Sequence, residues 1–250
     1  MAGHSQYSNI KHRKAAVDAK RGKHWSKLSK AIIVAAKIGG PDPASNSRLR
    51  TAIIDAKAVS MPRDNIERAI KRGMGELDGG NVEEVLYEGY AQFGVAIMCE
   101  IMTDNRNRTA PEIRKMFEKH GGNLGATGCV SYLFDRKGVF LIPLTSTSEE
   151  KLFEVVMEAG AEDVSANGEH FEVHCAPENY SVVSDALDTA GIECFNRQVT
   201  RLPQTMVELD AEQAGLILKF VESLDDHDDV QNVSSNFSIP DELLASLPGE

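Results

Sequence analysis

Binding a phosphate backbone needs cations and donors gathered at one end of a molecule, and the first thirty residues supply them. Residues 9–30 read NIKHRKAAVDAKRGKHWSKLSK, with eight Lys or Arg and a single acid, Asp18. The candidate nucleic-acid contacts there are His4, Lys11, His12, Arg13, Lys14, Lys20, Arg21, Lys23, Lys27 and Lys30. Dispersed cations add up on a polyanion, because each phosphate neutralised releases condensed counterions. Arginine adds a planar fork that stacks and bonds in pairs. A second cluster, DNRNRT at 104–109, puts Arg106 and Arg108 between an expected strand end and a helix N-terminus, where the dipole favours anions.

Other constellations carry less. His170, Glu172 and His174 alternate along an expected strand and so share one face. Two histidines and a carboxylate make a metal donor set, but such a row reads more readily as the wet face of an antiparallel strand. The run DDHDD at 225–229 lacks the glycine and glutamate of a calcium loop and reads as acidic surface. GGNLGATG at 121–128 follows a helix and has no Gly-Lys-Ser/Thr, so it reads as a helix stop and turn. Cys99, Cys129, Cys175 and Cys194 form no CxxC pair and read as buried reduced thiols. No nucleophile elbow, zincin or kinase motif occurs. The expectation is a protein that is not an enzyme and uses no cofactor or metal.

Charge is segregated. Residues 1–75 carry 16 Lys and Arg against 5 Asp and Glu, a net of +11, while the other 175 residues carry 11 against 33, a net of −22. That pattern suggests a polyanion-binding module joined to an acidic body. The longest aliphatic run, AIIVAA at 31–36, is far short of the roughly 18 residues of a membrane span. With no apolar h-region at the N-terminus, a cytoplasmic protein with no membrane partner is expected.

The elements that position these groups follow from periodicity. Over 23–38, Trp25, Leu28, Ile32, Ala35 and Ala36 fall on one helical face, and Lys23, Lys27, Lys30 and Lys37 on the opposite one. The lysines are expected to form an outward ridge. Helices are expected near 47–59 and after Pro62, where Asp64 and Glu67 have capping-box spacing. Gly75–Asn81 reads as a linker. Strands are expected at 86–90, 95–102 and 130–134, with a helix opened by a second box at Thr109 and Glu112. From 139 the order is β-α-β-β-α-β, the ferredoxin-like pattern, and a helix capped by Asp210 and Gln213 precedes a strand at 230–237. The fold class is therefore α+β and multidomain, a helical bundle followed by two ferredoxin-like-type α/β domains. The expected boundaries are 1–75 for the bundle, 82–134 plus 205–240 for a discontinuous domain, and 135–204 for an inserted one.

GHS at 3–5, IKHRK at 10–14, DAKRGK at 18–23, AAKIGGPDP at 35–43, MPRDNIERAIKRG at 61–73, YEGY at 87–90, DNRNRT at 104–109 and GGNLG at 121–125 resemble the YebC/PmpR family. The likeness starts at Ala2, so no presequence is expected, and it is weakest over 143–205. Gln6 stands where a Lys is frequent, Tyr7 for a frequent Trp and Trp25 for a frequent Phe. The resemblance implies a helical bundle with two α/β domains around a cleft, and a non-enzymatic regulator of gene expression. Bacterial members of the family are described as DNA-binding transcriptional regulators. The mitochondrial relative is a translational activator of cytochrome c oxidase, and bacterial relatives are implicated in relieving ribosome stalling at proline-rich stretches. Three functions follow for testing: a translation factor on rRNA or the ribosome, which the charge distribution favours; a duplex-DNA regulator; and, remotely, a metal enzyme using the His170–His174 face. A monomer is expected.

Overall fold

The computed structural model describes residues 21–168 and 170–239. These form two compact units, one of residues 21–131 with 207–239 and the other of residues 132–206.

The first unit begins with three helices. Helix α1 (Arg21–Gly39) buries Ile32, Ala35 and Ala36 and leaves Trp25 and Leu28 half-buried against the same core, so the apolar stripe lies inward. Gly40 stops it at φ +85°. Asn46 fixes the turn that follows. Its side chain donates to Ala35 O at 2.9 Å and Gly40 O at 2.8 Å, and accepts from Leu49 N at 3.0 Å as the N-cap of α2 (Ser47–Ala58). Helix α3 (Arg63–Gly73) starts after Pro62 with no side-chain cap. The expected Asp64 box does not form, and Glu67 instead pairs with Arg63 at 2.7 Å on the exposed face. At its far end α3 touches α1 so closely that a Cβ on Gly73 would lie 2.5 Å from Ile33 O. The expected linker folds back on α3: a Cβ on Gly80 would sit 1.9 Å from Arg72 O.

An antiparallel sheet follows, ordered β3-β1-β2-β9, from β1 (Glu83–Tyr90), β2 (Ala96–Thr103), β3 (Asn123–Leu124) and β9 (Val230–Ser235). Helix α4 (Arg106–Lys119) and helix α7 (Ala211–Asp225) pack together through Phe117 and Phe220, edge to face at 4.9 Å. The Asp210–Gln213 capping box closes the N-terminus of α7. The Thr109 box does not form. The N-cap of helix α4 lies four residues earlier, at Asn105, whose side chain accepts from Arg108 N at 3.1 Å. Short strands β8 (Val207–Glu208) and β10 (Phe237–Ser238) pair in parallel. Met102 of β2 and Val82 belong to the same buried cluster as the helices, so bundle and sheet share a core.

In the second unit, β4 (Phe134–Pro143), α5 (Glu149–Glu158), β5 (Ala161–Asn167), β6 (His170–Cys175), α6 (Tyr180–Thr189) and β7 (Asn196–Pro203) form an antiparallel sheet ordered β5-β6-β4-β7. Order and pairing match the ferredoxin-like pattern. The strand expected at 130–134 is instead a single 3-10 turn at Ser131–Leu133 leading into β4. Phe140, Ile142, Leu152, Val156, Val173, Val183 and Leu187 make the core, with the Phe140 and Tyr180 rings stacked at 5.0 Å.

Candidate nucleic-acid interface

His4, Lys11, His12, Arg13, Lys14 and Lys20 lie outside the described residues, and Arg21 and Lys23 fall in the first turn of α1. The remaining four candidates have definite positions, and two of them correct the expected ridge. Lys27 Nζ donates to Asp225 O, and Lys30 Nζ to Asp228 O at 3.0 Å and to the Asp229 carboxylate. These lysines face the acidic turn between α7 and β9, not solvent.

Asp229 is the centre of that turn. It is 1% exposed, so DDHDD is not simply acidic surface. Its Oδ1 takes Lys30; its Oδ2 accepts from Thr109 Oγ1 at 2.6 Å, Arg108 Nη2 at 2.8 Å and Thr103 Oγ1 at 3.2 Å. Its carbonyl accepts from Met102 N at 2.8 Å. Burial alone would raise its pKa, but the bonds from Lys30, Thr109 and Arg108 outweigh it and hold the carboxyl well below the usual range. The same contact, with Asp104 adding charge, raises Arg108. Lys30 and Arg108, 78 positions apart in the chain, thus meet on one buried acid that ties bundle to sheet.

The network explains why α4 starts where it does. Thr103 Oγ1 accepts from Asn105 N at 3.0 Å, and Thr109 Oγ1 bonds Asn105 O at 3.1 Å, so Thr109 serves Asp229 from inside the helix. Arg106 points elsewhere, 3.8 Å from Glu83 with both side chains exposed.

Beside the network lies a cleft of about 780 Å³, lined by Lys30, Arg108, Lys115 and Lys119 but also by five carboxylates. Its wall is mixed, not a basic groove. Glu112, His227 and Asp229 bring ligand-type atoms within 4.8 Å of one another. They are engaged otherwise. Asp229 N donates to His227 Nδ1 at 3.1 Å, which leaves the ring proton on Nε2 for Glu112 at 3.1 Å. Lys30 and Arg108 beside them disfavour a bound cation.

The last glycine of the segment at 121–128 and the residues just after it hold an anion, and the anion is the protein's own. Gly128 N donates to Glu88 Oε1 at 2.9 Å, and Val130 N and Ser131 N donate to Oε2 at 3.0 and 2.9 Å. Glu88 is 2% exposed; burial would raise its pKa, yet these backbone donors bring it below the ordinary value. His170, Glu172 and His174 are likewise buried, which corrects the wet-face expectation. Strand β6 is interior to its sheet, and His174 Nε2 and Glu172 Oε1 bond at 2.7 Å, with Glu172 Oε2 buried without a hydrogen-bond partner. Cys99 and Cys175 are buried and Cys129 and Cys194 half-buried, all free thiols, with burial pushing Cys175 and Cys194 up to about 11.

Sequence reasoning missed Asp229, Glu88, Thr103 and Thr109. A usable signal existed for Thr103, a polar residue closing the apolar run VAIMCEIM at 95–102.

A helical bundle that shares a core with an antiparallel sheet, together with a ferredoxin-like unit, defines a multidomain α+β protein. The sequence matches the TACO1/YebC protein N-terminal domain over residues 5–76 and the TACO1/YebC second and third domain over residues 82–237. The chain belongs to the TACO1/YebC family. It is similar to probable transcriptional regulatory proteins of Rhodopirellula baltica (59% identity, 98% of this chain and 100% of the relative) and Dictyoglomus thermophilum (52%, 99% and 100%). It also resembles the crystal structure of a conserved hypothetical protein from Aquifex aeolicus, with TM-score 0.82 and 51% identity over 90% of this chain and 93% of that one. No helix among the described residues is long and apolar enough to cross a membrane.

Proposed function

We propose that this protein is a non-enzymatic regulator of gene expression that binds RNA through its basic N-terminal segment, acting on the ribosome as a translation factor that relieves stalling. The observation that carries this is the segregation of charge, +11 over residues 1–75 against −22 over the rest. An acidic body is repelled by a long duplex. It is tolerated where a basic end enters an rRNA cleft and the body faces solvent or protein. The engagement of Lys27 and Lys30 with the acidic turn adds support, since these two lysines are then held within the fold rather than presented as on a groove-reading helix.

A second reading, DNA-binding transcriptional regulation, is favoured by the names of the relatives. Transient duplex binding needs only phosphate contacts. Sedimentation with ribosomes, run beside a duplex-DNA titration over a salt series, separates the two. Ribosome association lost on changing Lys11, Arg13 and Lys14 to Gln supports the first. Tight, sequence-dependent duplex binding without ribosome association selects the second. Five phosphate contacts give a log–log salt slope of about −4.5 on a duplex, shallower on single strands.

A further inference from the structure

Helix α3 carries two guanidinium groups that the Asp229 network leaves unused. Arg68 and Arg72, one turn apart, line a second cavity of about 340 Å³ within the first unit, with Asn65 on the same helix and Trp25, Met61 and Val82 among the other lining residues. Two further charged groups reach it, and both are matched: Lys30 by Asp229 and Asp104 by Arg108. Neither Arg68 nor Arg72 has an ion-pair partner among the described residues. Arg72 Nε is buried without any hydrogen-bond partner. A charged donor group normally finds an acceptor, so two guanidinium groups without an acid between them mark this wall of the cavity as suited to an anion.

The walls say what ligand. The linker holds Arg72 in place: Gly80 packs on its carbonyl, and a Cβ on Gly79, at φ +86°, would lie 3.8 Å from Nε. The indole of Trp25 is fixed by its Nε1 donating to Val59 O at 3.2 Å. Trp25, Met61 and Val82 give the cavity an aromatic and apolar part, Ser26 and Ser29 add hydroxyls beside it, and helix α3 offers two planar cationic forks and the amide of Asn65, which both donates and accepts. An anion with a flat, hydrogen-bonding ring matches these parts. The volume, at the low end for ligand pockets, suits one nucleotide and not a helix.

We propose that this cavity binds a single nucleotide, its phosphate on Arg68 and Arg72 and its base toward Trp25 and Asn65. The proposal rests on the RNA-binding reading above for its source, an unstacked nucleotide of a strand. A free mononucleotide would present the same chemistry.

Trp25 is the sole tryptophan, so intrinsic fluorescence reports on this cavity. The probes are adenosine 5′-monophosphate and a short fluorescein-labelled single-stranded RNA, the latter followed also by anisotropy. RNA binding is expected to change Trp25 emission. Arg68→Gln, on an exposed position, is expected to weaken RNA binding about tenfold, one good charge-assisted contact, and Arg72→Lys to weaken it while keeping charge. Arg114→Gln, the same charge change on an exposed helix position outside the cavity, should cost less than about twofold. Thermal melts confirm that each variant folds. RNA binding by anisotropy with no change in Trp25 emission and no effect of Arg68→Gln would overturn the cavity and leave the RNA reading standing. A response to the mononucleotide alone, lost in Arg68→Gln, supports the cavity and overturns the strand as its source. No response to either probe overturns the cavity, and the absence of any RNA anisotropy change overturns the RNA reading as well.

Discussion

Lys30 on α1 and Arg72 on α3 reach the same cavity, yet their charges are handled in opposite ways. Lys30 is matched by a buried carboxylate and shares it with Arg108 and two threonines; Arg72 has a buried nitrogen with no acceptor. Both belong to the basic end of the chain. The difference teaches that a run of cations divides into those that assemble the protein and those left for a partner. The division is set by where the acids fall in space. The acidic body is thus not only a foil to the basic segment: one turn of it is the counter-charge that fastens the bundle.

The sharpest way to break the comparison is to remove that counter-charge. Asp229→Ala removes the carboxylate from Lys30, leaves Arg108 with the exposed Asp104 alone, and takes one acceptor from each of two threonine hydroxyls. A loss of about 3–5 kcal/mol is expected, the usual cost of deleting one partner of a buried ion pair. It would be read as a lowered urea midpoint at unchanged slope. Arg68→Gln on the open side should stay within about 0.5 kcal/mol of the parent.

Acid should dissect the same network. Asp229 and Glu88 both have folded pKa values below their unfolded ones. Each contributes stability that is complete above the unfolded value, about 3.9 for Asp and 4.3 for Glu, and that is lost as pH falls toward the folded value. Urea midpoints should therefore fall steeply below about pH 4.5 in the parent. Glu88→Gln should flatten part of that slope and cost about 1–3 kcal/mol at neutral pH, because an amide offers one acceptor oxygen where three backbone N–H groups need two. An acid profile unchanged in both Glu88→Gln and Asp229→Asn would contradict the assignment.

Periodicity was a good guide to which residues share a face and a poor guide to what covers it. The Trp25–Ile32–Ala36 stripe lies inward as the helical spacing requires. The lysines opposite were expected in solvent, and two of them contact the α7–β9 turn. Alternation correctly put His170, Glu172 and His174 together, but all three are buried. Of three capping boxes with the same spacing, only Asp210–Gln213 forms. At Thr109 the hydroxyl is taken by Asp229 and Asn105 caps the helix earlier; at Asp64 the helix has already started behind Pro62. One acid among the five residues 225–229 is the buried one, and local sequence holds no record of that choice because its partners come from 30, 103, 108 and 109.

Close backbone contact gives a smaller effect. Gly73→Ala would push a methyl to 2.5 Å from Ile33 O and 2.9 Å from the Ala36 side chain. A loss of about 1–3 kcal/mol is expected from overpacking, confined to the bundle. If α3 moves off α1 to relieve it, the cavity lined by Arg68 and Arg72 distorts, and Trp25 emission should shift before any ligand is added.

The smallest stability effect should come from Arg106, and it sharpens the comparison within one motif. Arg108 is bonded to Asp229, so Arg108→Gln should destabilise by about 1–3 kcal/mol, the range for a hydrogen bond to a charged group. Arg106 lies 3.8 Å from an exposed glutamate, and Arg106→Gln should change stability by less than about 0.5 kcal/mol. Its charge remains available to a phosphate. If it makes that contact, Arg106→Gln weakens RNA binding at low salt and reduces the log–log salt slope by about 0.7, the single-strand value for one phosphate. An unchanged slope would assign DNRNRT wholly to holding the fold and leave the second contact site without a member.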